Sequence, residues 1–63
     1  MLITLNAEPV EVPDHTTVAD LLPVDPRGLA VAVNGTVIRR DDHARHVLAA
    51  RDRVEIVTAV QGG

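Results

Sequence analysis

The sequence predicts an α+β domain: a mixed four- to five-stranded sheet with one main helix packed on one face. Three observations predict it. The chain has 63 residues, enough for one core and no more. Its apolar share is 46% without any Phe, Tyr or Trp, so Val, Leu, Ile and Ala must fill that core, and β-branched residues favour strands. Short alternating or continuous apolar runs are separated by turn clusters, and only one run has helical spacing.

The elements follow in order. Leu2 to Leu5 reads as a strand. Asn6-Ala7-Glu8-Pro9 is a turn cluster. Val10-Glu11-Val12 alternates as a half-buried strand does, which completes an N-terminal hairpin. Thr16 to Leu22 is the expected helix, the only substantial one. Thr17 suits its N-cap, Asp20 three residues on can return the hydrogen bond, and Val18, Leu21 and Leu22 share one face. Pro23 stops that helix or holds it to about two turns. Val24 to Gly28 is a loop.

Leu29 to Val33 is a continuous apolar strand, expected near the sheet centre. Asn34-Gly35 is a tight-turn signal, since both residues tolerate positive φ. Thr36 to Ile38 returns. Arg39 to Ala50 has no sustained period and reads as a surface loop, with one helical or 3₁₀ turn opening at Asp41 or Asp42. Arg53 to Ala59 is the last strand, with Val54, Ile56 and Thr58 on one face and Glu55, Val57 and Ala59 on the other. Residues 1–59 thus form the domain, and residues 60–63 form a flexible C-terminal tail. The element order fits the β-grasp arrangement.

Composition excludes several classes. With no aromatic platform and a net charge of −3, nucleic-acid binding is not expected. No apolar run is long enough to span a bilayer, and the N-terminus lacks a signal-peptide pattern, so a soluble cytoplasmic protein is expected. The absence of cysteine removes disulfides and cysteine-type zinc sites. All six basic residues are Arg, so the chain cannot build lysine-linked polymers of itself.

The sequence ends in Val60-Gln61-Gly62-Gly63. A frayed end is one reading of the two glycines. The other is chemical: without side chains, they can enter a narrow active site in any backbone conformation. Four extended residues from Val60 reach at most about 14 Å. The terminal carboxylate is ionised at neutral pH and is a poor electrophile, so it needs activation, for example as an acyl-adenylate. Nothing in the chain resembles a P-loop, so another protein must supply the ATP chemistry.

These residues resemble the ThiS family, the ubiquitin-like sulfur carriers of thiazole formation in thiamine biosynthesis. The resemblance rests on the strand from residue 2, on Thr17-Val18-Ala19-Asp20-Leu21-Leu22, and on Val31-Ala32-Val33-Asn34-Gly35 with Val37 and Arg39-Arg40. The stretch from Asp52 to Gly63 carries it most strongly. It implies the β-grasp sheet order and a carrier cycle. An E1-like, ThiF-like adenylyltransferase would activate Gly63 with ATP, and sulfur from a cysteine desulfurase relay would replace AMP. A ThiG-like thiazole synthase would then take that sulfur. Gly62 and Gly63 carry over as the adenylation and thiocarboxylate site. The chain itself would be neither enzyme nor cofactor binder. Its departures are Ala50-Arg51-Asp52, where many relatives have a glycine, the lack of an aromatic near His43, and Pro23.

Partner binding is expected from the tail residues Val60 and Gln61, and from Val57 and Ala59 facing outward beside Leu2 or beside Ala30 and Ala32. His43 and His46 could share a metal only if helical, and a solvated loop is the expected state; no metal site is predicted. His15 reads as a loop residue. Other functions share the tail: sulfur carriage for molybdopterin, for cysteine or methionine, or for tRNA thiolation, and ubiquitin-like protein modification. A plain interaction module would differ from all of them in tolerating loss of Gly63.

Overall fold

The computed structural model describes residues 1–58. Five strands form one mixed sheet: β1 (Leu2–Leu5), β2 (Glu8–Glu11), β3 (Leu29–Val33), β4 (Thr36–Ile38) and β5 (Arg53–Thr58), in the order β2-β1-β5-β3-β4. β1 runs parallel to β5; the other pairings are antiparallel. The last strand in sequence is therefore the central strand of the sheet, and β3 lies beside it.

The two hairpins close on turns whose central residues all have positive φ: Asn6 (50°) and Ala7 (70°), then Asn34 (52°) and Gly35 (85°). Such primed turns match the twist of the strands they join. Glu8 and Pro9, expected in the first turn, belong instead to β2. Proline is tolerated there because β2 is an edge strand, where a missing N–H costs no ladder bond.

The expected helix is absent. One 3₁₀ turn, Ala19–Leu21, stands in its place. Its bonds are all of the i→i+3 type: Asp20 N–H to Thr17 O (3.1 Å), Leu21 N–H to Val18 O (3.0 Å) and Leu22 N–H to Ala19 O (3.1 Å). Two causes stop it growing. Pro23 excludes the helical region for the residue before it, and Leu22 is extended (φ −101°, ψ 155°). At the other end, the N–H groups of Val18 and Ala19 donate to the carbonyls of His46 and His43, both at 3.0 Å. The reciprocal cap expected of Thr17 and Asp20 does form: Thr17 N–H donates to Asp20 Oδ2 (2.9 Å), and Asp20 N–H donates to Thr17 Oγ1 (3.3 Å).

The inner face of the sheet is thus covered by two irregular segments zipped together, and not by a helix. Leu48 N–H donates to Thr16 O at 2.8 Å, and Thr17 pairs with Val47 as an isolated bridge. Val12, Val18 and Leu48 from these segments pack on Ile3, Val31, Val33 and Val54 of the sheet. A second 3₁₀ turn, Arg40–Asp42, opens one residue before the expected start. His43 follows it and is buried, not solvated as the sequence suggested. Its Nε2 lies 3.0 Å from the Ile38 carbonyl oxygen, which can only accept, so Nε2 carries the hydrogen.

Candidate functional site

The site is built on β5, because that strand leads directly into the terminal residues. Of the expected site residues, Val57 lies among the described ones. Ala59, Val60, Gln61, Gly62 and Gly63 lie outside them.

Alternation along β5 decides which side chains face where. Val54 is fully buried and Ile56 packs against the core from its edge. Val57 points the other way and is 57% exposed. The register places Ala30 directly across from Val57 and sets Ala32 between Glu55 and Val37. Val37 is 70% exposed. The outward apolar face is therefore Val57, Ala30, Ala32 and Val37, bordered by the Glu55 carboxylate. Leu2 does not join it: its partner in the ladder is Glu11 on β2, and Arg51 N–H donates to its carbonyl near the opposite end of β5. Val37 was not among the residues expected here. Alternation through Thr36-Val37-Ile38, with Ile38 turned to the core, was the signal that could have found it.

β5 is held at its start and past its middle by asparagine side chains from the two hairpin turns. At its start, Asn34 Oδ1 accepts from Arg53 N–H (2.9 Å), and Asn34 Nδ2 donates to Asp52 Oδ1 (3.0 Å). The other Asp52 oxygen accepts from Ala49 N–H at 2.9 Å. Further along, Asn6 Oδ1 accepts from Ile56 N–H (2.8 Å), and Asn6 Nδ2 donates to the Ile56 carbonyl (3.2 Å). The last paired residue is Thr58, opposite Leu29.

The loop leading into β3 carries a tight exposed ion pair, with Arg27 Nη2 at 2.7 Å from Asp25 Oδ2. The guanidinium holds the Asp25 carboxyl below its ordinary value, and the carboxylate raises Arg27. Such a pair stiffens a loop more than it stabilises a fold, because solvent screens it. Among the described residues, no group of three or more His, Asp or Glu side chains is placed to share a metal ion. No helix of the described residues is long and apolar enough to cross a membrane.

The comparisons with known proteins agree with this geometry. The ThiS family model matches residues 3–63. The crystal structure of the thiamine biosynthesis protein ThiS from Geobacter metallireducens superposes with a TM-score of 0.86 at 26% identity, covering 100% of both chains. No curated protein matches the chain. The family match reaches from β1 through the final glycines, and the solved relative shares the whole five-stranded β-grasp sheet. The chain therefore belongs to the ThiS family, the small ubiquitin-like sulfur-carrier proteins of thiamine biosynthesis.

Proposed function

We propose that this protein carries sulfur on the carboxyl group of Gly63 and delivers it to thiazole formation in thiamine biosynthesis. The observation that carries the reading is the family match, which runs from the central strand of the sheet through Gly62-Gly63. The chemistry follows from the carboxylate. A Gly63 oxygen attacks the α-phosphorus of ATP on an E1-like, ThiF-like enzyme, and pyrophosphate leaves. The terminal sulfur of a persulfide then attacks the acyl carbon and AMP departs with the bridging oxygen; a thiol cleaves the resulting acyl disulfide, is itself oxidised to a disulfide, and leaves the thiocarboxylate. A cysteine desulfurase relay supplies the sulfur, and a ThiG-like thiazole synthase accepts it. The chain is the acyl substrate throughout; the partner enzyme uses the ATP. This cycle belongs in the cytoplasm, where its partners and ATP are found.

Two features of the chain serve that role. Gly62 and Gly63 have no side chains to obstruct a narrow channel, and Val60 and Gln61, the two residues before them, are the proposed partner-binding residues of the tail. The outward face of Val57, Ala30, Ala32 and Val37 docks the activating enzyme through apolar contact.

The test is the intact mass of the protein after incubation with an activating enzyme, ATP and sulfide. The expected result is a gain equal to one oxygen replaced by sulfur, absent when Gly63 is deleted. No gain with an enzyme active on another carrier would overturn the reading. The docking face is tested separately. Val57→Asp puts an unpaired charge into an apolar contact and should lower kcat/KM for adenylation by at least about tenfold, the equivalent of ~1.4 kcal/mol. Unchanged adenylation in that variant would remove Val57 from the interface.

A further inference from the structure

β1 follows β5 only as far as Leu5, which pairs with Val54. There the chain turns away into β2. On that side β5 would lose its hydrogen-bonding neighbour at Ile56, the next residue to present its N–H and C=O in that direction. Asn6 fills the place. Its backbone N–H donates to Val54 O at 2.9 Å, and its side-chain amide then accepts from Ile56 N–H at 2.8 Å and donates to Ile56 O at 3.2 Å. A primary amide so placed reproduces the donor and acceptor of one further strand residue.

We propose that Asn6 is a positioning residue for the terminal carboxyl group: it fixes the direction in which β5 delivers the end of the chain. The proposal rests on the carrier reading above. Both amide bonds are exposed to solvent, so their net contribution to stability is modest. Their geometric effect is larger. Five residues follow Thr58, the last paired residue, and their extended reach is at most about 17 Å. Without Asn6, the N–H and C=O of Ile56 lose their partners, and from Ile56 to Thr58 the strand is paired to β3 alone, so its end can tilt about that single neighbour. A tilt of about 10° in the end of β5 shifts a point ~17 Å beyond it by ~3 Å, and misplacement of a reacting atom by about 1 Å can cost 100-fold in rate.

The simpler account is that asparagine stands at position 6 only because a primed turn favours it there, at φ 50°. Asn6→Gly separates the two, because glycine keeps the turn and deletes the amide. Asn34→Gly is the matched control: it deletes the corresponding amide at the start of β5, on a turn of the same kind with φ 52°. The experiment measures three things on each full-length variant: the urea midpoint, hydrogen exchange of the Ile56 and Val31 amides, and kcat and KM for adenylation by the activating enzyme.

The expected result is a similar small loss of midpoint in both variants. Asn6→Gly alone should speed Ile56 exchange by about tenfold relative to Val31 and lower kcat/KM by at least about tenfold, with Asn34→Gly within about twofold of the native chain. Asn6→Asp, which keeps the acceptor and loses the donor, should fall between them. Equal kcat/KM in Asn6→Gly and Asn34→Gly, or unchanged Ile56 exchange in Asn6→Gly, overturns the proposal. A native chain that is not adenylated overturns the carrier reading and this role with it. The exchange comparison stands apart from that outcome, so the two failures are distinguishable.

Discussion

At the scale of single residues, the backbone carries strain that the sequence did not avoid. Arg51 has φ 71° and Ala7 has φ 70°, both in the left-handed region. A Cβ there costs about 1–2 kcal/mol, while glycine in the same place costs about 0.5–1 kcal/mol in unfolded-state entropy. Arg51→Gly should therefore raise stability by roughly 0.5–1 kcal/mol, read as a higher urea midpoint with an unchanged slope. The hydrogen bond from Arg51 N–H to Leu2 O, at 2.7 Å, survives the change because it is made by the backbone. This is the turn where the resemblance implied a glycine and the sequence has Ala50-Arg51-Asp52, so a departure was legible there while the strain was not. Asn34-Gly35 was legible as a turn because its signal is local. The role of Asn6 was not, because its partner Ile56 lies 50 residues away.

At the scale of elements, the strands were read almost correctly and the helix was not. Strand periodicity and turn chemistry are local, so β3, β4 and β5 came out within a residue or so of their observed limits. The helical spacing of Val18, Leu21 and Leu22 was equally real, but local spacing counts apolar contacts and not donors. The N–H groups of Val18 and Ala19 were already committed to His46 and His43, in a loop with no period of its own. The burial of His43 escaped notice for the same reason. Val18 shows how much depends on this irregular layer, since its exposure is 0%. Val18→Ala removes two methyl-equivalents and leaves a cavity, and should cost about 2–3 kcal/mol by urea denaturation. That is a large share of the roughly 3–9 kcal/mol expected for a domain of this size.

At the scale of the whole molecule, charge composition makes one titration visible. The Met1 ammonium lies 3.0 Å from Glu11 and 3.7 Å from Asp14. The hydrogen bond to Glu11 raises its pKa above the ordinary 8.0, with burial opposing and the remaining attraction of Glu11 and Asp14 assisting. The folded state thus holds this proton more tightly than the unfolded state does. The resulting stabilisation is full below the unfolded pKa and disappears as pH rises through the folded one. The sequence has no Lys, Tyr or Cys, so no other group titrates between about pH 8.5 and 11. For a chain beginning at Met1, the urea midpoint should fall as pH rises through and above the ordinary amine value of 8.0. An Nα-acetylated chain should start lower and stay flat over the same rise.

The position of β5 has a mechanical consequence. An enzyme that grips the end of the chain pulls on the middle strand of the sheet, along its own axis. The rungs joining β5 to its antiparallel neighbour stand perpendicular to such a load, so they shear together and do not peel apart one after another. The parallel neighbour on the other side shares the tension. A load on the end of this chain is therefore met by the sheet as a whole, and the protein does not unravel from that end.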